Sequence, residues 1–88
     1  PEPEVKTATV SSLRLDSVLA ALLNTSRAQA CALIREGRVE IGHIPRTNAH
    51  AGVYEGDVFS VRGKGKFRLK AVGGRSRKDR IFIEFFQY

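Results

Sequence analysis

Arg14 and Arg27 stand where two predicted helices begin. A cation placed there can share an anion with the unpaired backbone N–H groups of the first helical turn, and the anion both groups suit is a phosphate. On a wheel of 100° per residue, Arg27, Cys31 and Arg35 are neighbours beside an apolar stripe and not within it. A second cationic set follows in Arg62-Gly63-Lys64-Gly65-Lys66-Phe67-Arg68-Leu69-Lys70-Ala71-Val72. Arg62, Lys64, Lys66, Arg68 and Lys70 share one parity, whereas Phe67, Leu69 and Ala71 share the other. An extended chain would project five cations from one face, with no acid among them, and pack the apolar residues inward. Gly63 and Gly65 either let backbone approach a ligand closely or form a bulge. Arg75, Arg77 and Lys78 continue the charge in a loop that runs from Gly73 to Arg80.

Other chemistries lack their residues. Cys31 has no visible partner base and reads as a small boundary group. Two His and one Cys make no metal-ligand cluster. There is no Gly-rich nucleotide loop after a strand, no Ser/His/Asp set and no carboxylate pair in an apolar setting. The expectation is a binding module that is not an enzyme and needs no cofactor or metal.

The elements that must carry these residues can be read from periodicity. Leu15, Val18, Leu19 and Leu22 fall at i, i+3, i+4, i+7 and predict a helix over 13–23, capped by Ser11 or Ser12. Asp16 lies in its first turn, where a carboxylate is structural, favoured by the dipole and by capping. Asn24-Thr25 breaks the run. Ser26 then caps a second helix over 27–36, with Gln29 at the capping-box position and Gly37 as its stop. Strands are expected at 38–42, at 58–61, along the cationic ribbon, and at 81–86, where Ile81, Ile83 and Phe85 alternate inward. A turn-rich loop joins His43 to Gly52, and Tyr54-Glu55-Gly56-Asp57 forms a turn. His43 is read as a solvated loop residue, base stacking being the other option. Residues 1–12, opening with Pro and Glu, read as a linker or N-terminal arm, and 13–88 as one domain.

Arg14-Leu15-Asp16-Ser17-Val18-Leu19, then SRAQA-x-x-LI-x-x-GRVEI from Ser26 to Ile41, resembles the RNA-binding domain named after small-subunit ribosomal protein S-four. The likeness continues into Glu55-Gly56-Asp57-Val58, and Ser60 to Phe67 is similar to one branch, the C-terminal domain of YlmH-like proteins and of photosystem II S-four-domain proteins. The resemblance implies an α+β fold, the alpha-L motif: two short N-terminal helices on a small, mainly antiparallel sheet of about four strands. It implies structured RNA as partner, rRNA or tRNA, with the large ribosomal subunit and its peptidyl-tRNA in the YlmH-like branch. The expected RNA-contact residues are Arg14, Ser26, Arg27, Gln29, Arg35, Arg38, Arg62, Lys64, Lys66, Arg68, Arg75, Arg77 and Lys78. The alternative is the RNA-targeting domain of a larger modifying enzyme, a pseudouridine synthase or methyltransferase. Two departures stand out. Cys31-Ala32 occupies positions often polar or basic in the family, and Gly42-His43 replaces an Asn-Gly or Asn-Trp pair.

Composition agrees with that partner. The net charge of +6 is local, because residues 62–80 hold nine of the fifteen basic residues and a single acid, Asp79. Phe67 is the sole aromatic in that segment and its parity points inward, so shape recognition is expected over base stacking. No stretch approaches a membrane span and no signal peptide opens the chain, so the expected setting is the cytoplasm, or the stroma in a plastid-bearing source. With 88 residues and no Met, the chain is expected to be a monomeric domain of a longer protein.

Overall fold

The structure, a computed structural model, describes residues 3–88; Pro1 and Glu2, at the tip of the segment read as an arm, lie outside them. The element order is β1 (Lys6–Val10), α1 (Leu15–Leu23), α2 (Arg27–Arg35), β2 (Val39–Ile41), β3 (Ile44–Pro45), β4 (Val58–Val61), β5 (Gly65–Arg75) and β6 (Ile81–Gln87). The strands form one antiparallel sheet in the order β1-β6-β5-β4-β2-β3. The fold is thus α+β, two helices on a sheet, as the alpha-L motif requires, but with six strands instead of about four.

The two additional strands have local causes. Lys6-Thr7-Ala8-Thr9-Val10 alternates β-branched and small residues, pairs along β6 from Lys6↔Phe85 to Val10↔Ile81, and buries Val10 fully. Much of the presumed arm is therefore an edge strand of the domain. β3 folds back on β2 through Gly42 and His43, with Ile41 opposite Ile44. Both turn residues have positive φ, 56° and 68°, as a two-residue hairpin of the primed type demands. Gly adopts this freely and His tolerates it better than most residues, so the pair can fill the place of Asn-Gly.

The helices cover one face of the sheet. Leu15, Val18, Leu19 and Ile34 are fully buried against Phe59, Leu69, Ile83 and Val39. Asn24, left-handed at φ 52°, ends α1, and the chain bends by 111° into α2. Gly37, at φ 75°, ends α2 where expected. The other sheet face carries no helix among the described residues. No single helix among them is long and apolar enough to cross a membrane.

Candidate nucleic-acid interface

The start of α1 is organised around a buried carboxylate. Asp16 is 1% exposed. Its Oδ1 and Oδ2 accept from Arg14 Nε and Nη2 at 3.1 and 2.7 Å, and Oδ2 accepts a third guanidinium bond from Arg27 Nη2 at 3.1 Å. Oδ1 also accepts the Ser17 N–H at 2.8 Å, and Cys31 Sγ lies 3.9 Å from Oδ2. Burial by itself would raise the Asp16 pKa, but the hydrogen bonds from Arg14, Arg27 and the Ser17 amide outweigh it and hold the carboxyl at about 2. The same carboxylate raises the pKa of Arg14. Asp16 is structural, as expected, and it also orients two of the expected RNA-contact cations. Arg14 and Arg27 remain 36% and 56% exposed, with guanidinium donors to spare.

A pH dependence follows. The folded pKa lies below the ordinary carboxylate value, so the stability from this cluster is complete above about pH 4 to 5 and is lost as pH falls toward 2. Denaturation midpoints followed from about pH 6 down to about pH 2 should fall more steeply for the native chain than for Asp16→Asn. Parallel curves would show that the cluster stores no such free energy.

The expected pairing of both helix starts with phosphate amides is corrected at α1. The Leu15 and Asp16 N–H groups donate to the carbonyls of Ala51 and Ala49, at 2.8 and 3.0 Å, and the Ser17 N–H is taken by Asp16. Neither Ser11 nor Ser12 caps the helix; Arg14 occupies that position with no side-chain cap bond. The loop before β4 does the capping, which no local pattern announces. At α2 the expectation holds in half. Ser26 Oγ accepts the Gln29 N–H at 3.1 Å, but the Gln29 side chain accepts from Thr25 Oγ1 at 2.6 Å instead of reaching back to Ser26.

The cationic ribbon is also bent. Residues 62–64 are a hairpin turn, closed by Lys64 N–H to Val61 C=O at 2.9 Å, so Arg62 and Lys64 do not extend the line of Lys66, Arg68 and Lys70. Gly63 takes φ 81°, and its missing side chain leaves room for Arg38, whose Nη2 donates to the Arg62 carbonyl at 2.9 Å. Lys66 and Arg68 do project from the open sheet face while Phe67 and Leu69 are buried beneath the helices. Bulges at Lys70 and at Gly73-Gly74 bend β5 beyond that point.

The site residues form two groups with α2 between them. On one side of α2, Arg27 joins Arg14 at the Asp16 carboxylate, and Arg35 follows about two turns further along the helix. On the other, Gln29, Leu33 and Glu36 face the β4–β5 turn across a cleft of about 330 Å³ that Arg38, Gly63 and Lys64 complete. Ala28 and Ala32 keep the helix surface between them low. The two flanks are one helix diameter apart, on the order of 10 Å. A groove of about 340 Å³ next to the cleft contains Arg38, Glu40, Ser60, Arg62 and Lys66.

Arg75, Arg77 and Lys78 lie at the other end of β5, roughly 30 Å along the strand from Lys64. Ser76 orders their turn by accepting the N–H groups of Lys78 and Arg80, and Arg75 pairs with Asp79 at 3.3 Å. Arg80 is a residue that the sequence reading left out of the site. It donates to Thr9 Oγ1 and to the Thr9 carbonyl at 3.0 and 2.9 Å, and lines with Arg27 and Ser17 a groove of about 550 Å³. Only pairing of β1 with β6 brings it there, so nothing in the linear pattern marks it. Among the described residues no three His, Cys, Asp or Glu side chains gather as a metal site.

Comparison with known proteins finds relatives of the chain in sequence. The family model described as S4 domain matches residues 13–59. The chain is 35% identical over 82 residues to the Ribosome-associated protein quality control protein P2 of Bacillus subtilis (strain 168). That alignment covers 93% of this chain and 32% of the relative, so the chain spans about a third of the relative's length.

Proposed function

The chain belongs to the S4 domain family, and from that premise we propose that it is a non-catalytic RNA-binding module of a ribosome-associated protein. Its ligand is folded RNA, rRNA of the large subunit or tRNA, met in the compartment where ribosomes work. The observation that carries this reading is the placement of cations on both sides of the low face of α2, Arg14, Arg27 and Arg35 on one flank and Arg38 and Lys64 on the other. A further set lies on the β5–β6 hairpin. Such a surface reads phosphates and shape, with Lys and Arg supplying most of the affinity. The relative's name, with its ribosome association, supports the same class of partner. The residues present supply binding and orientation. Cys31 Sγ lies 3.9 Å from the Asp16 carboxylate, and a carboxyl held at about 2 is too weak a base to make the thiol a nucleophile.

The test is a titration of folded rRNA fragments and tRNA, with heparin and anionic vesicles as controls for plain charge attraction. With about six phosphates neutralised, log K should fall with log salt at a slope of roughly −4 to −5. Arg35→Ala with Lys64→Ala should weaken binding about tenfold and flatten the slope by about 1.5 to 2. Both side chains are exposed and outside the Asp16 cluster, so the fold should be unaffected. Affinity and slope equal to the native chain's would remove the α2 surface from the interface.

A further inference from the structure

The face of the sheet turned away from the helices carries an aromatic cluster that sequence position conceals. In the antiparallel register, Phe86 stands opposite Arg68, and the Tyr88 N–H donates to the Lys66 carbonyl at 2.9 Å. Phe86, Tyr88, Lys66 and Arg68 therefore project from the same side of the sheet. Lys66 Nζ lies 5.5 Å from the centroid of the Tyr88 ring, and Phe86 meets that ring edge-on at 5.2 Å. Tyr88 is 58% exposed. Lys66 also lines the groove that holds Arg38 and Arg62, so it links the aromatic pair to that groove.

We infer that this open face is a second RNA-contact surface, which holds unpaired nucleotides by stacking a base on Tyr88 and contacting its phosphates through Lys66 and Arg68. An exposed aromatic ring bordered by cations is the combination that binds single-stranded nucleic acid with little dependence on sequence. Charge favours RNA over a protein with a mixed or basic surface. In the groove, Arg38, Arg62 and Lys66 outnumber the one acid, Glu40, and Arg68 adds a further cation beside Phe86. Residues 62–80 hold only one aromatic ring, Phe67, which is buried, but the pairing of β5 with β6 supplies rings from outside that segment. This surface meets the α2 cleft at Arg38, but its rings stand on the sheet face turned away from the helices. One chain could thus grip a helical element on one side and an adjoining unpaired strand on the other.

The chain has two Tyr and no Trp, so Tyr54→Phe leaves Tyr88 as the sole tyrosine reporter. A short single-stranded oligouridylate added to that variant should quench the tyrosine emission, whereas a blunt RNA duplex should leave it nearly unchanged. Tyr88→Ala and Tyr88→Leu should weaken oligouridylate binding by about 5- to 150-fold, with Tyr88→Phe close to native. Duplex affinity should stay within about twofold in all three, because the α2 surface is untouched. Oligouridylate that binds without quenching, or does not bind, overturns the inference and leaves the face to a protein partner. Equal loss of duplex and single-strand affinity in Tyr88→Leu also overturns it. Quenching by oligouridylate in a chain that ignores folded RNA would sustain this inference while removing the α2 proposal.

Discussion

Phe59→Ala is expected to destabilise the domain by about 3–5 kcal/mol. Phe59 is fully buried and sits on β4, opposite Ile41 of β2 on one side and Phe67 of β5 on the other. It also lies in the core formed with Leu15, Leu19 and Ile34 from the helices. A domain of this size has a thin core and a total stability of only about 4–13 kcal/mol, so truncating this ring removes a large share of it. The cost combines lost transfer free energy with a cavity that a sheet held on both sides cannot collapse. Denaturant titration should show a lower midpoint with little change in slope, which assigns the loss to the native state. Phe59→Leu, which keeps most of the volume, should cost about 1–1.5 kcal/mol. A loss below about 1 kcal/mol for the Ala variant would mean that the two layers do not meet at this residue.

Asp16→Ala is expected to cost about 2–3 kcal/mol, or roughly 8–24 °C in melting temperature. Removing one member of a fully buried ion pair costs about 3–5 kcal/mol. Here Arg14 and Arg27 are partly exposed and can turn to water, which reduces the penalty. The Ser17 N–H loses its acceptor as well. Arg27→Ala alone should cost less, because Arg14 still holds the carboxylate through two bonds. A double-mutant cycle of Asp16→Ala with Arg27→Ala should give a non-zero coupling energy, whereas additive losses would show that the 3.1 Å contact contributes nothing. The binding readout differs in kind. Asp16→Ala raises the net charge by one yet releases both arginines from fixed positions. Its affinity for folded RNA should therefore fall even though plain charge attraction rises, provided that orientation matters on this surface.

Much of the fold was legible because its signals are local. The apolar spacing of Leu15, Val18, Leu19 and Leu22, the cap at Ser26 and the stop at Gly37 each act within one helical turn, and each appears where the sequence places it. The parity of Phe67 and Leu69 against Lys66 and Arg68 is equally local. β1 was missed because it buries a single large apolar residue, Val10, behind an opening of Pro and Glu, and its partner strand β6 is far away in the sequence. The site was legible as a set of cations and less so as an arrangement. Charge type is visible in a sequence, but a carboxylate that orients Arg14 and Arg27 acts from eleven residues away in the second case.

The sequence by itself determined the two helices, the alternation of the central strands, the local concentration of positive charge and the family likeness. Each of these depends on residues within a few positions of one another, where backbone geometry fixes the spacing. Only the tertiary structure decided that Ala49 and Ala51 cap α1, that Arg62 and Lys64 turn away from the line of Lys66, that Arg80 joins Arg27 across a groove, and that Phe86 and Tyr88 stand beside Arg68 and Lys66. Those contacts depend on strand register and on closing loops of many residues. That free energy is shared over the whole sheet and helix packing, so no short stretch of the chain can encode it.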